Sequence, residues 1–166
     1  MTPDTAIRVY LVDDHTMFRA GLASLTAGEK DIEIVGQSSG SLELFDDIRR
    51  TQADVVVMDI TMPGLNGLDL CRELLKQCPD IEVLILTMHS NEELIIRALQ
   101  YGASGYLLKE AAPDDFIAAV RSVARGEAYL GAGIPRTVLS QLGRGTSDRY
   151  ELLTTRERHV LKLIAE

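Results

Sequence analysis

Three carboxylates, a hydroxyl and an amine end or follow short apolar runs in this 166-residue chain. Carboxylate oxygens are the ligands that Mg²⁺ prefers, and a carboxylate can also act as a nucleophile. An ammonium group and a hydroxyl bind anionic oxygens. Together these groups suit phosphoryl transfer, which depends mostly on positioning and on neutralising charge. The residues are Asp13, Asp14, Asp59, Thr87 and Lys109.

The apolar runs that precede these residues predict buried parallel strands, because they are short, aliphatic and separated by helical patterns. In an open α/β sheet the ligand crevice lies outside the carboxyl ends of the strands, at the switch point of the topology. We therefore expect residues from distant stretches of sequence to converge there. Any one acid could merely cap a strand or helix, but the whole set favours a site. The runs are Val9–Val12, Val55–Met58, Val83–Leu86 and Tyr106–Leu108.

Five strands alternate with five helices, which predicts an α/β fold with a doubly wound, five-stranded parallel sheet. The strands are expected at Arg8–Val12, Ile32–Gly36, Val55–Met58, Val83–Leu86 and Gly105–Leu108. The helices are expected at Thr16–Thr26, Ser41–Thr51, Asn66–Gln77, Asn91–Tyr101 and Pro113–Gly126, with Ser41 as the cap of the second. Thr61–Gly67 is rich in Gly and Pro and predicts a loop.

Composition and charge limit the function classes. No apolar stretch reaches the roughly 18 residues of a membrane span, and the amino terminus lacks the features of a signal peptide, so a cytoplasmic protein is expected. Cys71 and Cys78 are too far apart within one helix for a disulfide and predict reduced thiols. Residues 1–125 carry 11 basic and 20 acidic side chains, a net charge of −9, whereas residues 126–166 carry 6 and 5, a net charge of +1. The acidic region 1–125 repels DNA, so any DNA contact must come from the carboxyl-terminal end or beyond it.

The motifs around these residues resemble the receiver domains of two-component response regulators, over residues 7–125. The similarity lies in Val12-Asp13-Asp14-His15, Met58–Gly64, Leu86-Thr87 and Gly105–Lys109. It implies a flavodoxin-like sheet with strand order 2-1-3-4-5. It also implies a sensor histidine kinase as partner and a homodimer on phosphorylation.

The resemblance assigns a role to each residue of the site. Asp59 is expected to accept the phosphoryl group of a kinase phosphohistidine. Asp14, Asp59 and the main-chain carbonyl of Thr61 would bind Mg²⁺, with Asp13 acting directly or through water. Lys109 would pair with a phosphoryl oxygen.

Thr87 and Tyr106 are the expected switch by the same resemblance. The Thr87 hydroxyl would turn to the phosphoryl oxygen, and Tyr106 would pack into the space that it leaves. One charge-assisted hydrogen bond contributes about 1.5–3 kcal/mol, whereas moving a population from 1:99 to 99:1 needs about 5.5 kcal/mol. Lys109 and the repositioned loop must therefore share the work.

Three positions depart from the pattern or leave a choice open. Many receivers have a proline after the lysine, but here the residue is Glu110, so no cis peptide bond is expected. His89 either modulates the lifetime of the phosphoryl group or is a solvated loop residue. His15 is expected to be a helix-start residue rather than a ligand.

The end of the chain predicts a second module. Residues 126–150 are rich in Gly and predict an interdomain linker. Residues 151–166 resemble the first helix of the LuxR-type helix-turn-helix domain that follows receivers of the NarL/FixJ subfamily, and Thr154 and Glu157 have capping-box spacing. Since the recognition helix is not in this sequence, we expect DNA binding only from the full-length protein.

The sequence thus predicts a response regulator that controls transcription and catalyses only its own phosphorylation and dephosphorylation. A receiver-only relay or interaction module is the alternative. A haloacid-dehalogenase-like phosphatase also uses a strand-end aspartate, but it needs a second acid where this chain has Thr61. A flavodoxin would need a Ser/Thr/Gly-rich first loop where this chain has Asp13-Asp14-His15.

Overall fold

The structure is a computed structural model that describes residues 5–41 and 43–134, except for the side chain of Leu65. The predicted LuxR-like helix at 151–166 and the linker beyond residue 134 lie outside these residues. No described helix is long and apolar enough to cross a lipid bilayer.

The five predicted strands and five predicted helices follow one another along the described chain, and three further short strands are added to them. The strands are β1 (Ile7–Val12), β2 (Ile32–Ser38), β3 (Val55–Met58), β4 (Thr61–Met62), β5 (Leu65–Asn66), β6 (Glu82–Thr87), β7 (Gly105–Leu108) and β8 (Tyr129–Leu130). The helices are α1 (Thr16–Thr26), α2 (Leu44–Thr51), α3 (Gly67–Gln77), α4 (Glu92–Gln100) and α5 (Pro113–Ala124). Proline at the start of α5 occupies the position where its missing N–H matters least.

The main sheet has the order β2-β1-β3-β6-β7-β8, and all of its neighbouring strands are parallel. Its first five strands are those predicted from the sequence, in the expected flavodoxin-like order. The predicted count of five is wrong by one, because β8 adds a sixth strand beside β7. This strand lies inside the stretch assigned to the linker. Its two residues stand among glycines, so no apolar period marks them in the sequence.

The predicted loop at 61–67 also contains structure. β4 and β5 form an antiparallel ladder in which Thr61 pairs with Asn66 and Met62 with Leu65. Gly64 takes a φ of +74° in the connecting turn, a conformation that glycine adopts without strain. The loop after Asp59 is therefore a short hairpin rather than an irregular connection.

Buried side chains hold helices on both faces of the sheet. β3 is buried along its whole length, as expected for a central parallel strand. One core cluster packs α2, α3 and α4 against one face, and Tyr106 belongs to it. The second cluster packs α1 and α5 against the other face. The sheet that carries the site residues is thus packed by helices on both faces.

Two helices begin with a side-chain cap, and the cap predicted for a third is not formed. Asn66 accepts hydrogen bonds from the amides of Leu68 and Asp69, and Asn91 accepts one from Glu93. The prediction that Ser41 caps the second helix is wrong: α2 begins at Leu44, and its N-cap Glu43 makes no side-chain cap bond. The hydroxyl that accepts amide hydrogen bonds in this loop belongs to Ser38.

Candidate functional site

The parallel ladder brings the predicted residues to one edge of the sheet. The amide of Asp59 donates to the carbonyl of Val12 at 3.0 Å, which places the end of β3 beside the end of β1. The amide of Lys109 donates to the carbonyl of Thr87 at 2.8 Å, so the ends of β6 and β7 are joined in the same way. Residues that are up to 96 positions apart in sequence, Asp13 and Lys109, are therefore neighbours in space.

Lys109 lies at the centre of the cluster. Its Nζ is 2.6 Å from Asp13 Oδ2 and 3.0 Å from Asp59 Oδ2. All three side chains are almost fully buried, with 6%, 7% and 4% of their surfaces exposed, respectively. The same Nζ lies 4.5 Å from the centre of the Phe18 ring, within the range of a cation–π interaction. One buried cation thus compensates two buried carboxylates.

Four side chains at this edge can hold a metal ion. Single ligand atoms of Asp13, Asp14, His15 and Asp59 all lie within 4.8 Å of one another. Oδ1 of Asp14 is buried and accepts no hydrogen bond from the described residues, although His15 Nδ1 is 3.4 Å away. A buried carboxylate oxygen without a donor is costly unless a cation or water completes it. The donor set of carboxylates fits a hard cation.

The protonation of the cluster follows from these contacts. Burial by itself would raise the pKa of Asp13, but hydrogen bonds from Lys109 and His15 outweigh burial and lower that pKa. Burial would likewise lower the pKa of Lys109, but its bonds to Asp13 and Asp59 raise that pKa. Both groups are therefore charged at neutral pH, and the pair is an ion pair rather than a neutral one.

The loop after Asp59 holds the carboxylate close to the backbone. The amide of Thr61 donates to Asp59 Oδ1 at 3.2 Å. Gly67 at the start of α3 donates to the carbonyl of Ile60 at 2.8 Å. A Cβ at Gly67 would lie 2.3 Å from the carbonyl oxygen of Asp59, closer than real contacts allow. The absence of a side chain at this position lets the helix end abut the loop.

Thr87 and Tyr106 lie next to the cluster on neighbouring strands. The Thr87 side chain is buried, and its hydroxyl has no hydrogen-bond partner in the described part of the chain. Tyr106 is also buried, and its hydroxyl donates to the carbonyl of His89 at 2.7 Å. Burial, with a smaller contribution from Asp59, raises the pKa of Tyr106, so its phenol stays protonated. The aromatic ring is packed inward and fixed to the β6–α4 loop.

His89 bridges two loops rather than standing free in solvent. Its Nε2 lies 2.7 Å from the Thr61 hydroxyl, and its carbonyl accepts the Tyr106 bond. The solvated-loop reading of His89 is thus only half right, because the residue is exposed but hydrogen-bonded. His15 is the N-cap of α1, as expected, and its amide donates to Asp13 Oδ1 at 2.9 Å.

Sequence reasoning missed two residues of the site. Phe18 shows only as an apolar position of α1, and nothing in the sequence links it to Lys109. Arg19 donates from its guanidinium to the main-chain carbonyl of Asp13 and to Gln37 Oε1. Its position one turn after His15 is a signal that helical spacing could have supplied.

Known proteins share this fold and sequence. The chain matches the response regulator receiver domain over residues 9–121. It is 35% identical to the response regulator UvrY of Escherichia coli over 162 residues, covering 96% of this chain and 74% of UvrY. It is 33% identical to the DNA-binding transcriptional activator DevR/DosR of Mycobacterium tuberculosis over 163 residues, covering 96% and 75%.

A solved structure gives the same result. A two-component response regulator of the LuxR family from Aurantimonas superposes with a TM-score of 0.76 at 28% identity, covering 82% of this chain and 98% of that one. The match to the family spans the strands that carry the acid cluster, Thr87 and Lys109. The chain therefore belongs to the response regulators of two-component systems, in the NarL/LuxR group whose members regulate transcription.

Proposed function

We propose that Asp59 accepts a phosphoryl group from the phosphohistidine of a sensor histidine kinase. A carboxylate oxygen of Asp59 attacks phosphorus, the P–N bond of the donor breaks, and the histidine leaves and takes up a proton. Asp13 also contacts Lys109, but Asp59 supports this role best, because it follows the fully buried central strand and its Oδ2 lies 3.0 Å from Lys109 Nζ. The single observation that carries the proposal is this buried contact within the acid cluster.

Lys109 serves the transfer as a point charge. In the structure its Nζ pairs with Asp59 Oδ2 at 3.0 Å and with Asp13 Oδ2 at 2.6 Å. An incoming phosphoryl oxygen attached to Asp59 would lie within reach of the same ammonium group. Because Lys109 is held by Asp13 as well, it can change partner at Asp59 without leaving the cluster.

The acid cluster fits a resident Mg²⁺ ion. Asp14 and Asp59 would hold it together with the main-chain carbonyl of Thr61, and Asp13 would contribute directly or through water. The buried, unpaired Oδ1 of Asp14 supports this assignment. The ion would supply positive charge beside the phosphoryl oxygens, which carry negative charge during transfer. When Lys109 pairs with a phosphoryl oxygen instead, the negative charges of Asp13 and Asp14 would still attract the cation.

The Thr87 hydroxyl and the Tyr106 ring form the readout. Thr87 Oγ1 has no partner among the described residues, so it is free to donate to a phosphoryl oxygen without breaking an existing bond. Tyr106 already lies inward, bonded to the carbonyl of His89 at 2.7 Å. Phosphorylation would thus stabilise an arrangement of the β6–α4 loop that the fold can adopt without it.

We further propose that this response controls transcription from the cytoplasm. Residues 7–125 would form the receiver, residues 126–150 the linker and residues 151–166 the first helix of the DNA-binding domain. Phosphorylation would promote a homodimer, and DNA contact would belong to the full-length protein. The names of UvrY and DevR/DosR, a response regulator and a DNA-binding transcriptional activator, support this output.

The first test is the intact mass of the protein after incubation with acetyl phosphate and Mg²⁺. We expect the gain of one phosphoryl group, dependent on Mg²⁺ and absent from Asp59→Asn. The matched control Asp80→Asn alters an exposed acid just before β6, at the amino end of that strand, whereas the cluster lies at the carboxyl ends; it should label like the unchanged protein. Labelling of Asp59→Asn at an unchanged rate would exclude Asp59 as the acceptor.

A negative result with acetyl phosphate leads to a second test on the same sample. Beryllofluoride binds an aspartate as a phosphoryl mimic without needing a donor. Binding without acetyl phosphate labelling would indicate that only the kinase serves as donor. Absence of both would contradict the proposed chemistry.

A further inference from the structure

The short sixth strand continues directly into the described end of the chain. We call residues 127–134 the coupling strap. Its backbone pairs with β7: the amide of Tyr129 donates to the carbonyl of Ser104 at 3.2 Å, and the amide of Gly131 donates to the carbonyl of Tyr106 at 3.0 Å. The second bond is made to the aromatic residue of the proposed switch. The strap therefore touches the switch through its main chain.

Side chains of the strap also pack on the face of the sheet that carries the Tyr106 ring. Leu130 and Ile134 pack against the core cluster that contains Tyr106. Leu130 pairs with Tyr106 in the register of the two strands, so the two residues are direct neighbours. A change in the position of the Tyr106 ring would alter the surface on which the strap rests, because close-packed interiors transmit small displacements.

Glycines make this contact unusually close. A Cβ at Gly131 would lie 2.5 Å from Leu107 Cδ1, and a Cβ at Gly105 would lie 2.9 Å from the carbonyl oxygen of Tyr129. Gly133 has a φ of +90°, which turns the chain after the strand in a way that L-residues rarely adopt. Side chains at Gly105 or Gly131 would therefore push the strap and β7 apart or displace Leu107, and Gly133 permits the turn that follows.

We propose that the coupling strap reads the position of Tyr106 and passes it to the chain that follows residue 134. The inference rests on the proposed function, since it takes Tyr106 as the residue that phosphorylation fixes inward. With Tyr106 inward, the strap has both its hydrogen bond to the Tyr106 carbonyl and its packing surface. When the ring leaves, the packing surface changes and the strap is held less firmly.

Coupling of this kind is reciprocal. If the docked strap favours the inward position of Tyr106, a phosphoryl mimic must bind more tightly when the strap is docked. By reciprocity, the mimic must favour docking of the strap by the same factor. A strap that merely covers the edge of β7 would affect folding stability and leave the affinity for the mimic unchanged. This difference separates a coupling role from a structural one.

The test measures amide hydrogen exchange of the full chain with and without beryllofluoride and Mg²⁺. We expect peptides that cover residues 127–134 to exchange more slowly with the mimic, by roughly fivefold or more. In Gly131→Val, where the added side chain meets Leu107, these peptides should exchange fast in both states. The affinity of Gly131→Val for beryllofluoride, measured by fluorine NMR, should be lower than that of the unchanged protein. The factor should equal the one by which the mimic slows exchange in the unchanged protein.

Two further variants keep the test interpretable. Gly28→Ala is the matched control, because a Cβ at Gly28 meets no atom within 4 Å, and it should leave both readouts unchanged. Leu130→Ala removes packing against the core without forcing a clash, and it replaces Gly131→Val if the latter fails to fold. We expect a smaller loss of affinity from it in the same direction.

The outcomes separate the strap from the switch. If beryllofluoride protects the peptides around Thr87 and Tyr106 but not those at 127–134, the switch works and the coupling strap is wrong. Unchanged mimic affinity in a folded Gly131→Val would also overturn the coupling. If the mimic does not bind at all, and acetyl phosphate does not label Asp59, the proposed function fails and the strap inference falls with it.

Discussion

The two ends of the sheet treat their polar side chains in opposite ways. At the amino ends of the strands, the Arg8 guanidinium donates to the carbonyl of Thr51, and Ser104 donates to Glu82. Arg121 binds both Glu29 and Asp31 at 2.8 Å. At the carboxyl ends, Asp14 Oδ1 and the Thr87 hydroxyl are buried without a hydrogen-bond partner among the described residues.

This contrast distinguishes polar groups that are paired within the fold from the groups that we propose bind a ligand. A buried polar atom without a partner costs about 1–3 kcal/mol, so a fold keeps one only where something outside the protein completes it. The amino end, where each of these groups has its partner, needs no ligand. At the carboxyl end, the proposed Mg²⁺ ion and phosphoryl group would complete Asp14 Oδ1 and the Thr87 hydroxyl.

The largest expected effect comes from removing the buried cation. Lys109→Met leaves Asp13 and Asp59 without compensation and should lower the free energy of unfolding by about 3–5 kcal/mol in the absence of divalent cations. Mg²⁺ should restore part of this loss, because it replaces the missing positive charge. Chemical denaturation with and without Mg²⁺ measures both effects. A loss that Mg²⁺ does not change would contradict a cation site at this end.

The hydroxyls at the two ends should respond with opposite sign. Thr87→Val removes a buried, unpaired hydroxyl at nearly constant shape and should stabilise the unphosphorylated protein, by up to about 1–3 kcal/mol. Ser104→Ala removes a hydroxyl that donates to Glu82 and should destabilise by about 1 kcal/mol. Thermal unfolding of both variants gives the comparison. Equal destabilisation by both would mean that Thr87 has a partner in solution.

The pH dependence should also differ between the ends. Hydrogen bonds lower the pKa of both Asp13 and Asp31 from the usual 3.8. A lowered pKa in the folded state adds stability that is present above pH 3.8 and is lost as pH falls through the folded pKa. Asp13→Asn should remove this acid-dependent loss at any ionic strength, because Asp13 is buried.

Asp31 provides the matched comparison. Its side chain is 51% exposed, so solvent and salt screen its attraction to Arg121. Asp31→Asn should therefore flatten the acid limb of the stability curve only at low salt. Denaturant titrations between about pH 2 and 5, at low and high salt, test both variants. A salt-sensitive contribution from Asp13 would argue that its carboxylate is hydrated.

The smallest expected effect belongs to the ion pairs of the amino end. Arg121 and its partner Glu29 are each 38% exposed, and exposed pairs contribute about 0–1 kcal/mol after screening. Arg121→Met should lower the unfolding free energy by no more than this and should leave acetyl phosphate labelling unchanged. A loss as large as that of Lys109→Met would remove the distinction between the ends.

The sequence allowed the fold and the convergence of the site to be predicted because each depends on a local pattern. Buried strands such as Val55–Met58 and the residues after them are read directly from the chain, and parallel pairing then places their ends together. The strand β8 could not be predicted, because two residues among glycines are too few to show the alternating apolar pattern of a strand. Its pairing depends on the edge of β7, which is a tertiary feature.

The contacts within the site were harder to predict than the identity of the residues that form it. The Phe18 ring against Lys109 and the Thr61 hydroxyl against His89 join residues 91 and 28 positions apart. Neither has a sequence pattern of its own, since rotamers and loop geometry decide such contacts. The capping error at Ser41 has the same origin: Ser38, three residues earlier, supplies the hydroxyl that the loop uses.

Gly67 shows how little space there is around the backbone of Asp59. The 2.3 Å separation between a Cβ at this position and the Asp59 carbonyl oxygen means that even a methyl group would force the hairpin away from α3. The hairpin carries Thr61, so the hydrogen bond from the Thr61 amide to Asp59 and the contact between Thr61 and His89 would shift with it. Because Gly67 carries only a hydrogen atom at this position, the hairpin with Thr61 can lie close to α3 and to the β6–α4 loop that contains His89.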